Sequence, residues 1–451
     1  MNLREIILDI LLEWEEGKTY SHILLQNVLQ KFDYLESRDK AFIKRVTQGT
    51  IERKIQIDYI LNLFSGVPVK KMKKVIRNLL RSSVYQLLFM DGVPDSAVVN
   101  EAVKLANKRK FGSLKGYVNG VLRQIARLKD SIEWPDAKKE PVTYLSVCYS
   151  MPEYLVEQFL QWYGEETETI LAAFLKSNEV TIRFSGRLHT EEIAAYEQAW
   201  RESGVTVLQH PYDAMARTLG KSDGIASLVG FEEGAFVVQD TSSMMVCRCA
   251  ELLPGMDVID LCAAPGGKTM HAADMVGEQG SVKAFDVSPR KVLKIEENLE
   301  RMGYRNVTVE ESDGTCFRPD LTESADVVIA DVPCSGLGVI GKKQDIKYRI
   351  DEHALEEIVS LQKAILTNAW QYVKKGGVLM YSTCTMNPAE NEQMVTWMEE
   401  QFGLKRENIT DRLPAALQAS VVRDTLQMKP GIHDCDGFFV AKLRRPITSI
   451  S

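Results

Sequence analysis

Two of the eight cysteines stand where a thiol can meet a substrate. Cys334 lies in Asp331-Val-Pro-Cys-Ser-Gly336 and Cys384 in Tyr381-Ser-Thr-Cys-Thr385. Each stretch follows a short apolar run, Val327–Ala330 or Val378–Tyr381, of the kind that forms a buried strand. Ligands of an open parallel sheet bind beyond the carboxyl ends of its strands, so both thiols are expected to face one crevice. A lone cysteine is more often a small buried hydrophobe. Cys148, Cys247, Cys249 and Cys316 lack a loop setting and read as structural. There is no CxxC pair and no paired Cys/His spacing, so a disulfide scaffold and a zinc site are not expected, and no metal is.

A second constellation suits a nucleoside. A predicted strand runs into Asp260-Leu-Cys-Ala-Ala-Pro-Gly-Gly-Lys-Thr269, a glycine turn that lets backbone approach a ligand. The dinucleotide pattern GxGxxG is absent, and a phosphate loop GxxxxGK[ST] needs glycine where Cys262 stands. The next strand ends at Asp286, 19 residues past Gly267, where an acid accepts hydrogen bonds from a ribose diol. Asp313 follows the third strand, placed for an exocyclic amine of a purine. One such acid alone is more often a cap or turn residue. The ordered set describes an adenosine site without a triphosphate cradle, as S-adenosylmethionine requires. The cofactor residues expected are Cys262, Ala263, Ala264, Pro265, Gly266, Gly267, Lys268, Asp286 and Asp313, with Cys262 serving through its backbone.

A thiol beside a methyl donor suggests one chemistry. Carbon 5 of a pyrimidine is a poor nucleophile until a thiolate adds at carbon 6 and makes it enamine-like. Loss of the carbon 5 proton then expels the thiol. Covalent catalysis of this kind splits one hard step into easier ones, and the attacking species is the thiolate. Asp331 is placed to hydrogen-bond the N3/N4 edge of the base. The base must be unstacked to be reached.

The elements that position these residues follow from patterning. From about residue 236, short apolar runs at Val258–Leu261, Val282–Phe285, Val307–Val309, Val327–Ala330 and Val378–Tyr381 alternate with helical stretches at 290–302 and 353–374. That rhythm implies a mainly parallel sheet covered on both faces. Residues 1–128 read as helix after helix, with turn signals at Ser65-Gly66-Val67-Pro68 and Gly92-Val93-Pro94-Asp95. Residues 129–144 read as a linker, rich in charge and proline. Residues 145–235 mix both patterns, with strands at Val180–Phe184 and Val205–Leu208, and read as a small α+β unit. The domain bounds expected are therefore 1–128, 145–235 and 236–446. There is no internal repeat and no low-complexity tract.

Composition bounds the class. The 451 residues, 45% hydrophobic and 26% charged, suit a globular chain of about three domains. No apolar run approaches the ~18–20 residues of a membrane span. Met1–Glu16 lacks a basic leader region, so a cytoplasmic protein with reduced thiols and no membrane association is expected. The net charge of −7 hides an asymmetry: residues 1–145 carry 25 Lys+Arg against 17 Asp+Glu, and the remainder 30 against 45. The basic stretch Lys70, Lys71, Lys73, Lys74, Arg77 and Arg81 alternates with apolar residues at helical spacing. A second cluster, Lys104, Lys108, Arg109, Lys110, Lys115, Arg123 and Arg127, adds to a reading of nucleic-acid binding.

At these residues the sequence resembles the Nop/Sun family of RNA cytosine-5 methyltransferases. The matching stretches are DLCAAPGGKT at 260–269, the strand ending in Asp286, Asp313-Gly314, DVPCSG at 331–336, YSTCT with PAENE at 381–392, and GFFVAKL at 437–443. The resemblance implies that Cys384 is the nucleophile, that Cys334 helps release the product, and that Asp286, Asp313, Asp331 and the CAAPGGK loop hold the cofactor. Ser96–Ala106 and Gly116–Arg123 look like the NusB-like helical RNA-binding domain that precedes the catalytic part in the bacterial 16S rRNA, Sun or Fmu, type. The implied fold is multidomain: an all-α NusB-like domain, a small α+β middle domain and an α/β Rossmann-like class I methyltransferase domain. The implied reaction is methylation of one cytosine, 967 in the usual rRNA numbering. The substrate would be 16S rRNA or a small-subunit assembly intermediate, with no obligate protein partner. One stretch departs from the family pattern: Lys342-Lys-Gln-Asp-Ile-Lys-Tyr348 lacks the usual proline and tryptophan. Two other readings stand at this point. One is a non-catalytic RNA-binding assembly factor, which has no evident need for both cysteines and the acid series. The other is the same chemistry on tRNA or DNA, which a basic patch does not distinguish.

Overall fold

The computed structural model describes residues 2–17, 19–176, 179–220 and 224–447. The chain forms two compact units, Met1–Lys176 with Ile340–Arg349, and Ser177–Val339 with Ile350–Ser451.

The first unit is helical: α1 (Leu3–Glu15), α2 (Ser21–Lys31), α3 (Ser37–Glu52), α4 (Lys54–Phe64), α5 (Lys74–Phe89), α6 (Asp95–Lys108), α7 (Lys115–Leu128), α8 (Pro141–Tyr149), α9 (Glu153–Tyr163) and α10 (Thr167–Ala173). Apolar spacing dictates which faces turn inward. α7 buries Val118, Val121, Leu122 and Ile125, one stripe at i, i+3, i+4, i+7. That stripe joins Ile7, Ile10 and Leu11 of α1 and Leu80 and Val84 of α5 in a single core. In the 129–144 stretch Trp134 stacks on Tyr59 with ring centroids 6.1 Å apart.

The segment that departs from the family pattern has a use inside this unit. Asp345 is fully buried, and its Oδ2 accepts from the backbone N–H of Ser21, 2.7 Å away, at the start of α2. Lys347 is also buried; its Nζ donates to the Glu52 carbonyl at 2.7 Å, while the Tyr348 hydroxyl donates to the Ile51 carbonyl at 2.9 Å. A helix starts with unpaired N–H groups and ends with unpaired carbonyls, so an acid suits the first end and a cation the second. Residues 345–348 supply an acceptor to the start of α2 and donors to the end of α3, where burial pushes the Lys347 amine down to about 7.

The basic clusters sort into two groups. Lys104 pairs with Glu101, Lys108 with Glu5, and Arg109 with Asp9, so this part of the second cluster is engaged internally. Arg81 is likewise held by Asp58 and Glu15. Lys70, Lys71, Lys73 and Lys74 are exposed.

The second unit holds two sheets. The smaller has strands β1 (Val180–Phe184), β2 (Thr206–Gln209), β3 (Ala216–Gly220) and β4 (Phe236–Val238), ordered β2-β3-β1-β4 with every pairing antiparallel. Helix α11 (Thr190–Glu202) covers it through Trp200, whose ring stacks on Phe184 at 5.4 Å. The larger contains β5 (Asp257–Asp260), β6 (Ser281–Asp286), β7 (Val307–Glu311), β8 (Ala325–Asp331), β9 (Val373–Thr383), β10 (Lys405–Arg406), β11 (Val421–Val422), β12 (Thr425–Met428) and β13 (Phe438–Arg444). Its order is β11-β12-β13-β9-β8-β5-β6-β7, with β10 beside β13. The run from β9 to β7 is parallel, and β13 is antiparallel to β9.

Side chains alternate across this sheet, as a period of two requires. Val258, Val327, Ile329, Val378 and Met380 enter one core with α12 (Thr241–Ala250) and α13 (Gly267–Val276), while α14 (Pro289–Met302) links β6 to β7. Ile259, Val328, Ala330, Leu379 and Tyr381 enter the other with α15 (Glu352–Tyr372) and α16 (Glu392–Phe402). Strands buried on both faces explain the unbroken apolar runs of the sequence. Among the described residues no helix is long and apolar enough to cross a membrane.

Removing the Asp345 carboxylate leaves the α2 terminus uncapped, a loss of about 1 kcal/mol. The substitution Asp345→Ala should therefore lower the melting temperature by roughly 2–4 °C. An unchanged thermal transition would show that this bond is not used.

Candidate active site

Strand order reverses between β5 and its neighbours β6 and β8, which opens a crevice beyond their carboxyl ends. β5 ends at Asp260, buried, with Oδ2 accepting from the Thr269 hydroxyl at 2.7 Å. Its Oδ1 is buried without a hydrogen-bond partner among the described residues. Burial pushes this carboxyl up to about 6. Residues 261–266 then turn into α13. Gly266 takes φ +101°, a left-handed conformation that side chains rarely adopt, as the residue before the helix. The loop is pinned by Ala263 N–H to the Phe285 carbonyl at 2.9 Å and by Ala264 N–H to Asp286 Oδ2 at 3.3 Å. Burial raises the Cys262 thiol well above its ordinary range, in keeping with a backbone role.

Asp286 closes β6 almost fully buried, and also accepts from the Ser288 N–H at 3.2 Å. Asp313, two residues past β7, is exposed, and its Oδ1 accepts from the N–H and hydroxyl of Thr315. Those bonds hold its carboxyl below the usual range. Asp331 closes β8. Its Oδ2 accepts from Lys268 Nζ, and its Oδ1 from the Ser382 hydroxyl at 2.9 Å. Burial works against the Lys268 ammonium, but the adjacent Asp331 outweighs it, and the lysine stays a cation; Cys384 adds to that field.

The two thiols meet. Cys334 and Cys384 place their sulfurs 3.2 Å apart. Backbone closeness makes this possible: Gly338 N–H donates to the Cys384 carbonyl at 3.0 Å, and a Cβ on Gly338 would lie 2.0 Å from the Gly437 carbonyl oxygen. Only glycine fits there. Hydrogen bonding to Cys384, then burial, pushes the Cys334 thiol well above its ordinary range, so Cys334 is a neutral thiol at neutral pH.

The structure thus brings Cys334, Cys384, Asp331 and Lys268 together, and sets Asp286 and Asp313 at successive strand ends. The PAENE stretch at 388–392 carries no chemistry legible in its residue types alone. In the structure Glu390 and Asn391 are buried and bonded to the residues flanking both cysteines. The available signal was a run of polar residues directly after a buried strand. Among the described residues no group of three or more His, Cys, Asp or Glu is arranged to hold a metal.

Residues 251–444 match the family described as 16S rRNA methyltransferase RsmB/F, and residues 1–127 match the NusB family. The chain is 33% identical to the probable ribosomal RNA small subunit methyltransferase B of Bacillus subtilis, covering 98% of this chain and 99% of that one. The chain belongs to the RsmB/F methyltransferase family. The ribosomal RNA small subunit methyltransferase B of Klebsiella pneumoniae is 30% identical, over 95% of this chain and 94% of its own. A methyltransferase homolog protein from Pyrococcus horikoshii shares the fold, with a TM-score of 0.57 at 24% identity over 68% of this chain and 99% of that one.

RsmB/F enzymes draw their methyl group from S-adenosylmethionine, and the residues present fit it. The glycine turn gives close backbone approach, Asp286 and Asp313 offer acceptors, and the unpartnered Asp260 Oδ1 is left for a donor.

Two outcomes follow from these environments. With Asp286 assigned to the ribose, Asp286→Ala removes hydrogen bonds to a charged acceptor, about 1.5–3 kcal/mol. Calorimetry should show cofactor affinity falling roughly 10–100-fold; unchanged affinity would refute the ribose role. For Asp260, the folded value lies above the unfolded one, so its stabilising share is complete below about 4 and is lost as pH rises through about 6. Relative to the native chain, Asp260→Asn should gain up to about 3 kcal/mol of unfolding free energy between pH 4 and 7. A flat difference in denaturant titrations would refute the raised value.

Proposed function

We propose that the chain transfers the methyl group of S-adenosylmethionine to carbon 5 of a cytosine in 16S rRNA, position 967 by resemblance, through a covalent bond from Cys384 to carbon 6. The observation that carries this reading is the pair of thiols 3.2 Å apart at the ends of β8 and β9. The names of the relatives, small-subunit rRNA methyltransferases, support the substrate class.

The steps follow from the side chains. Cys384 attacks as thiolate, favoured by the Lys268 ammonium, whose field it shares. The Cys384–C6 bond forms, and the electron pair of the C5–C6 double bond moves into the ring. Asp331, oriented by Lys268 and Ser382, keeps lone pairs for the amino edge of the base. The cofactor supplies a methyl group on a sulfonium, and carbon 5 takes it. Loss of the carbon 5 proton to water restores the double bond and breaks the Cys384–C6 bond, whose electron pair leaves on the Cys384 sulfur. Cys334, held as a neutral thiol against Cys384, is placed to give its proton to that departing thiolate and aid release. In the helical unit, exposed Lys70, Lys71, Lys73 and Lys74 supply salt-dependent phosphate contacts.

The test is transfer of labelled methyl to unmodified 16S rRNA, a tRNA pool and duplex DNA, with product nucleosides resolved. 5-Methylcytidine from rRNA alone is expected. Label in tRNA or DNA instead overturns the substrate, and no label on naked RNA or on small-subunit particles, with cofactor bound, favours a scaffold. Cys384→Ala should abolish turnover with cofactor affinity retained. Cys334→Ala should leave protein joined to RNA on a denaturing gel; normal turnover without adduct would refute its release role.

A further inference from the structure

Glu390 and Asn391 sit between β9 and α16, and neither is used in the chemistry above. Glu390 is fully buried, and its carboxylate accepts five hydrogen bonds, one of them from the Thr385 hydroxyl to Oε1 at 3.5 Å. Oε2 takes the Ser335 backbone N–H at 2.8 Å and Gln362 Nε2 at 3.0 Å. Oε1 takes the Ser335 hydroxyl at 2.6 Å and Asn387 Nδ2 at 3.0 Å. Ser335 is the residue after Cys334. Gln362 Nε2 also donates to the carbonyl of Pro333, the residue before it, at 2.9 Å. Cys334 is therefore gripped on both sides by one buried network.

Asn391 does the same for the other thiol. Its Oδ1 accepts from the Thr383 hydroxyl at 2.6 Å, and its Nδ2 donates to the Thr385 carbonyl at 3.1 Å. Thr383 and Thr385 flank Cys384. The two halves are joined directly, since the hydroxyls of Ser335 and Thr385 lie 2.6 Å apart.

A buried carboxylate is expensive unless fully hydrogen-bonded, and a neutral amide of the same size keeps only one acceptor oxygen where three N–H donors and two hydroxyls converge on two. Burial raises the Glu390 carboxyl, while the bonds from Ser335, Asn387 and Gln362 oppose that shift. A hydrophobic filler would pack this space more cheaply, so the position is explained by what the acceptor holds in place. A satisfied buried network of this kind is rigid.

We propose that Glu390 and Asn391 are positioning residues for methyl transfer, a clamp that sets the separation of the Cys334 and Cys384 sulfurs so that one thiol can serve the adduct of the other. The proposal rests on the covalent reading of Cys384, and two readouts separate the two claims.

The first uses no RNA. The full chain is treated with diamide, which takes two thiols to a disulfide and is itself reduced to the hydrazine, and Cys334–Cys384 bond formation is followed by peptide mass mapping. In Glu390→Gln that rate should fall at least tenfold, with melting temperature and cofactor affinity held; an unchanged rate overturns the clamp. Ser335→Ala, which keeps the backbone donor and removes only the hydroxyl, should slow it by a smaller factor and serves where Glu390→Gln folds poorly. A rate that falls only in step with lost folded fraction in both variants also overturns it.

The second readout is turnover. Glu390→Gln should lower kcat at least tenfold with KM for rRNA little changed, and should accumulate the denaturation-resistant adduct seen with Cys334→Ala. Adduct with Cys334→Ala but none with Glu390→Gln counts against the clamp. No adduct with either counts against the covalent reading, while the disulfide rate still decides the clamp.

Discussion

Parallel pairing of β8 with β9 sets Asp331 opposite Ser382, and everything chemical in this protein is measured from that register. Three residues past Asp331 comes Cys334, and two past Ser382 comes Cys384. A slip of one residue would turn every side chain of β9 to the other face of the sheet. It would also carry Tyr381 and Leu379 out of the core they share with α15 and α16. The cost of repacking both cores around swapped side chains is what holds this register, and with it the place of the two thiols.

Charge is distributed around this register with a purpose that the single residues do not show. Lys268 comes from the first turn of α13, Asp331 from the end of β8, and Ser382 from β9. Their convergence fixes a cation and an acceptor next to two sulfurs. Cys334 is held neutral by its bond to Cys384 and by burial. A neutral thiol in contact with a second sulfur is suited to handling a proton for it in the proposed cycle.

The helical unit shows how a charged residue can be read two ways. Lys108 and Arg109 looked like polyanion contacts in the sequence, yet they answer Glu5 and Asp9. The 342–348 stretch departs from the family pattern, yet the Lys347 amine within it closes the end of α3. In each case the partner lies about a hundred or more positions away in the chain, beyond the reach of local pattern.

Much was legible in the sequence because it depends on local periodicity. The apolar runs of β5, β6, β8 and β9 needed burial on both faces, and only a parallel sheet under helices provides that. The acids at 286, 313 and 331 and the turn at 261–266 followed from where strands end. The antiparallel β11, β12 and β10 were not legible, being two to four residues long. Nor was the pairing of Lys268 with Asp331, 63 positions apart, or the network by which Glu390 reaches back 55 positions to Ser335. Residue type and spacing determined what chemistry this chain carries, since strand ends and glycine turns are written locally. The distance between its thiols, and which charges are free to act, were decided only when tertiary packing brought remote hydrogen-bonding groups into a dry interior, where each must find a partner.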